Sequence, residues 1–90
     1  MEKFPELNTW HVALLRAEFK SGVVLDEQFK PVTDNKQKIY TKFTQADEAF
    51  AVAKQLILQN PDTECIIYGH DEEVLYYLTP QNITHINQTV

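Results

Sequence analysis

Cysteine, glycine and positive charge are all in short supply in this chain, and each shortage removes a class of function. Cys65 is the only cysteine in 90 residues. No disulfide can form within the chain, and the paired thiolates that structural zinc sites use are missing. Glycine occurs twice, as Gly22 and Gly69. A backbone cradle for phosphate needs several glycines close together, so there is no dinucleotide fingerprint and no P-loop. The nucleophile elbow G-x-S-x-G is also absent. Lysine and arginine number 8 against 13 acidic residues, a net charge of −5. Affinity for a polyanion comes mainly from neutralised phosphates, so nucleic acid is disfavoured as a partner, and an anionic membrane surface is disfavoured likewise.

No apolar run approaches the roughly 20 residues that a membrane helix needs. The opening Met1-Glu-Lys-Phe-Pro5 has no apolar stretch of the signal-peptide kind, so the cytoplasm is the expected address. The sequons at Asn82 and Asn87 then carry no meaning. With only four prolines and two glycines, no segment reads as a linker. The chain is expected to form a single domain over 1–90, with 1–8 and 80–90 as loose ends. Its 43% hydrophobic and 23% charged residues fit an ordinary globular domain rather than a disordered one.

What is present is strongest between Ile39 and Leu78. Ala46, Ala49, Phe50, Ala53, Leu56 and Ile57 recur at spacings of three and four, an apolar stripe that predicts a helix over 45–59. Thr44 stands where an N-cap belongs, with Asp47 placed to complete a capping box, and Asp47 and Glu48 suit the positive end of the helix dipole. Asn60 before Pro61 ends it. Phe50, the largest residue of the stripe, is expected at the centre of the core.

Residues 37–43 alternate, with Ile39, Thr41 and Phe43 on one side and Lys38, Tyr40 and Lys42 on the other, which predicts a half-buried strand. Residues 64–68 and 74–78 are β-branched and aromatic, joined by a polar loop containing Gly69, and read as a hairpin. Residues 10–19 fit a helix (Trp10, Ala13, Leu14 and Ala17 on one face, Gly22 as the stop) or a strand. The strand is preferred, with a turn at Lys20, Ser21 and Gly22 and a short return limb over 23–29, because a lone two-stranded hairpin is marginal. Pro31 keeps that limb at an edge. The fold class is therefore α+β: one long helix on a four- to five-stranded antiparallel or mixed sheet, in the order β-β-β-α-β-β. The strands flanking the helix should run parallel to each other.

Chemistry is sparse. His70, Asp71, Glu72 and Glu73 form the densest ionisable cluster and could serve a small enzyme or hold a hard cation. The spacing matches no calcium loop, and an exposed acidic hairpin tip accounts for the same residues. Cys65, His70 and His85 are too scattered for a zinc set. Lys36, Lys38, Tyr40 and Lys42 mix charge with an aromatic, as single-stranded nucleic-acid binders do, yet three lysines also describe a solvated edge strand. No catalytic, cofactor-binding or metal-ligating residue is assigned, and no cofactor is expected.

The aromatic hairpin stands apart. Tyr76 and Tyr77 are neighbours on a strand and must point to opposite faces, while one helix can cover only one face. Ile66, Tyr68, Tyr76 and Tyr77 are the candidate interface. The leading expectation is a non-enzymatic interaction module that self-associates or binds a protein partner, with the enzyme, metal and nucleic-acid readings as alternatives.

Overall fold

The computed structural model describes residues 1–83, in which one helix packs against a five-stranded antiparallel sheet. Along the chain the elements are β1 (Val12–Glu18), β2 (Val24–Leu25), β3 (Tyr40–Phe43), α1 (Ala46–Gln59), β4 (Thr63–Tyr68) and β5 (Val74–Leu78). This is the α+β layout that the sequence predicts.

β1 occupies the middle, which decides the strand-or-helix ambiguity of the first third. Every residue from Val12 to Ala17 is buried. One edge of β1 pairs with β4, from Ala13 opposite Tyr68 to Glu18 opposite Thr63. Its other edge is divided: Val12 to Leu15 pair with β3, and Arg16 and Ala17 pair with β2. β5 continues the sheet beyond β4. Since β3 and β4 are both antiparallel to β1, they run parallel to each other, and α1 carries the chain from one to the other.

The alternation of each strand sorts the core. Val12 and Leu14 of β1, Cys65 and Ile67 of β4 and Leu78 of β5 meet Ala49, Ala53 and Ile57 of α1, with Ile83 closing one side. The small alanines let the helix lie close to the sheet. Phe50 and Leu56 flank this line and are only half-buried. The stripe is as expected, but its largest fully buried side chain is Ile57, not Phe50. On the far face, Ala13 and Leu15 lie buried between the larger side chains of β3 and β4, and Ala17 between those of β2 and β4.

The helix start differs from expectation. Gln45 is the N-cap, in extended conformation and with no side-chain cap hydrogen bond. The Thr44 hydroxyl instead donates to the Glu48 carboxylate at 3.0 Å, so it caps nothing. The return limb over 23–29 shrinks to Val24–Leu25, because the Asp26 carboxylate accepts the N–H groups of Gln28 and Lys30 and bends the chain into a turn. β3 begins at Tyr40 rather than 37, since Asp34 and Gln37 hold the preceding residues in a turn of their own.

Within residues 1–8, Glu2 and Phe4 make specific contacts with the sheet. The Glu2 carboxylate accepts the backbone N–H groups of Ile39 and Tyr40 at 2.8 and 3.1 Å and pairs with Lys38 at 3.3 Å. Phe4 packs edge-on against Tyr40 and Tyr68, covering that part of the far face. At the other end, Thr79 to Ile83 turn back with Ile83 buried. The rest of the expected loose end, including His85, lies outside the described residues.

Candidate functional site

The β4–β5 hairpin is built on a tight loop. Gly69 and Glu73 bracket His70, Asp71 and Glu72; the Gly69 N–H donates to the Glu73 carbonyl at 2.8 Å, and Glu72 takes a left-handed φ of 64°. The ladder then slips between Ile67 and Tyr68: Ile67 faces Tyr76, but Tyr68 faces Val74, leaving Leu75 as an extra residue. The bulge places Val74 on the far face with Tyr68, opposite to a plain alternation of the strand.

The four candidate interface residues therefore divide. Tyr76 is on the helix side, its ring 5.1 Å from that of Phe50 in an edge contact. Ile66, Tyr68 and Tyr77 are on the far side. Tyr68 is half-covered by Phe4 and Tyr40, and its hydroxyl pKa is raised by that burial and then by Glu72. The Tyr77 hydroxyl donates to the Glu64 carboxylate, which raises its own pKa and pins the ring along the sheet. β5 is the last strand of the sheet, and among the described residues nothing pairs with its outer edge. Val74, Leu75, Tyr76 and Tyr77 are 59, 42, 40 and 48% exposed in succession, with no charge among them.

A second feature lies at the corner where β1, the start of α1 and this hairpin meet. A cleft of about 330 Å³ is walled by Trp10, Val12, Ala46 and Leu75, with His11, His70 and Glu73 as its main polar groups. Trp10 is not part of β1, as the sequence reading had it. It occupies the third position of a turn closed by the His11 N–H on the Asn8 carbonyl at 3.0 Å, with φ of 76° and 83% of its surface exposed. Asparagine at the first position of a turn is a common signal, and Asn8 carried it in the sequence.

The remaining candidates are weaker in three dimensions. His70, Asp71 and Glu73 bring one ligand atom each within 4.8 Å of one another, but all three are exposed. The Glu73 carboxylate already accepts the Asp71 N–H at 2.9 Å. Burial pushes the Cys65 thiol up to about 12, against the lowering pull of Arg16, so it stays protonated and unreactive. Of the basic face, Lys38 is paired with Glu2, and Tyr40 is half-buried with Phe4 packed edge-on against it. Among the described residues no helix is long and apolar enough to cross a membrane.

Sequence reasoning gave no role to Arg16. Arg16 is 3% exposed on the helix side of β1; its guanidinium donates to the Thr41 hydroxyl at 2.6 Å, and Nη1 has no partner among the described residues. Thr41 in turn donates to Glu27 at 2.6 Å. No family model, curated protein or solved structure matches this chain.

Proposed function

We propose that this chain is a cytoplasmic protein-interaction module, without catalytic activity, that pairs with a second copy of itself through β5. The observation that carries the reading is the β5 edge, unpaired among the described residues, with four consecutive exposed apolar residues. Such an edge is a template for another strand, and proteins ordinarily protect it with charge, proline or a covering segment. Val74 to Leu78 has neither charge nor proline.

The charge pattern favours an antiparallel, two-fold pairing. Asp71, Glu72 and Glu73 lie at one end of β5 and Thr79 at the other. Centred on Tyr76, antiparallel pairing sets Glu73 opposite Thr79 of the second copy. The two Glu73 positions are then six residues apart, about 20 Å at strand spacing, beyond the reach of unscreened repulsion in physiological salt. Parallel pairing would stack the acidic tips together. Tyrosines at the centre are the anchor type that dominates interfaces.

Light scattering at several concentrations tests this. The parent should move from monomer towards dimer mass as concentration rises, and Tyr76→Lys should stay monomeric with an unchanged far-ultraviolet spectrum. A parent that remains a monomer at the highest concentration overturns the reading. A dimer whose mass is unaffected by Tyr76→Lys overturns the β5 assignment.

A further inference from the structure

We propose that the cleft at the Trp10 corner binds a small organic cation, an amine or quaternary ammonium carrying an apolar body. The walls are apolar, from Trp10, Val12, Ala46 and Leu75, and a volume of about 330 Å³ is at the small end of ligand pockets. Charge complementarity selects the ligand. Glu73 is the one acidic residue lining the cleft, and among the described residues no lysine or arginine lines it. Asp71 stands beside His70 at 3.4 Å, and Asp47 and Glu48 follow Ala46 in the first helical turn, offsetting the dipole that would otherwise welcome an anion. An exposed indole offers its face to a cation, the strongest such partner among side chains.

Trp10 itself is poorly explained by folding. A left-handed φ is strained for a bulky residue and suits glycine or asparagine. With 83% of its surface in water, the ring returns little packing for that strain. Strained residues of this kind gather at ligand clamps, and Trp10 stands at the mouth of an apolar cleft.

Trp10 is the only tryptophan, so its fluorescence reports the cleft directly. The probe is benzyltrimethylammonium, compared with neutral benzyl alcohol and anionic phenylacetate. The cation should give a saturable change, and phenylacetate none. Glu73→Gln keeps the oxygen that accepts the Asp71 N–H, and should weaken cation binding roughly tenfold. Trp10→Gly, followed by calorimetry, should melt no lower than the parent and lose the heat of cation binding. No saturable change with the cation overturns the proposal. So does equal binding of benzyl alcohol and the cation, or unchanged affinity in Glu73→Gln, because the cleft would then not select charge. Retained binding heat in Trp10→Gly overturns it as well. Tyr76 does not line the cleft and the cation titration reads Trp10, so a monomeric parent leaves this outcome independent of the β5 pairing.

Discussion

Arg16 holds a permanent charge almost entirely out of water. Burial lowers its pKa, while Cys65, Glu27 and Asp26 pull the other way, and a guanidinium stays charged regardless. A buried charge with one unpartnered nitrogen adds little to stability, and replacing it by an apolar side chain of like volume is often neutral or better. Arg16→Met is therefore expected to change stability by no more than about 1 kcal/mol. Thr41→Val, which strands the second nitrogen too, should cost about 1–3 kcal/mol; urea unfolding of the two variants checks the contrast. Nothing in the alternation of 10–19 distinguishes Arg16 from a solvent-facing residue, because its hydrogen-bond partner Thr41 lies 25 residues along the chain. Phe50 shows the opposite limit. Periodicity finds the helix stripe but not its depth, since the innermost line takes the smallest side chains. Phe50→Ala should cost about 1–2 kcal/mol, below the 3–5 of a fully buried phenylalanine, and Ile57→Ala about 2–5. Equal losses would contradict this ordering.

Among the elements, the hairpins and the helix were the most legible, because each is local. Gly22 at φ 75° closes the β1–β2 turn where glycine is favoured, and the Gly69 loop joins β4 to β5 as read. The β-bulge was not legible: nothing in Val74-Leu-Tyr-Tyr-Leu78 marks Leu75 as the extra residue, since the loop's left-handed corner is filled by glutamate rather than glycine. That corner makes a clean test. Glu72 is exposed at φ 64° and makes no side-chain hydrogen bond among those described. Glu72→Gly should stabilise by about 0.5–1 kcal/mol, the relief of left-handed strain less the added chain entropy. A fall in the melting midpoint would mean that Glu72 is held by something other than the turn.

For the molecule as a whole, the N-terminal strap is the part that sequence reading missed. A carboxylate meeting backbone amides 37 and 38 residues away leaves no local signature. Burial acts to raise the Glu2 carboxyl, but the Tyr40 and Ile39 amides and Lys38 outweigh it and hold the value below the ordinary range. The Asp26 carboxyl is lowered too, first by Gln37 and then by the Lys30 amide. Both folded values lie below the unfolded ones, so the stabilisation is complete above the ordinary carboxylate range and is lost as pH falls through the folded values. Melting midpoints recorded down an acid series should decline there, and Glu2→Gln should flatten part of the decline. A variant with the parent's full acid slope would show that the strap does not couple to folding.

The placement of β1 sets the order of events during synthesis. It is made early, yet its long partner β4 begins at Thr63, and Ala13 must wait for Tyr68. At about 5–20 residues per second, that interval lasts roughly 3–10 s. Until then a largely apolar strand, broken only by Arg16 and Glu18, is left with at most its β2 and β3 edge filled. Closing so distant a pair ahead of any compensating contact is slow, so a nascent chain released before β4 should bind holding chaperones rather than form a partial sheet.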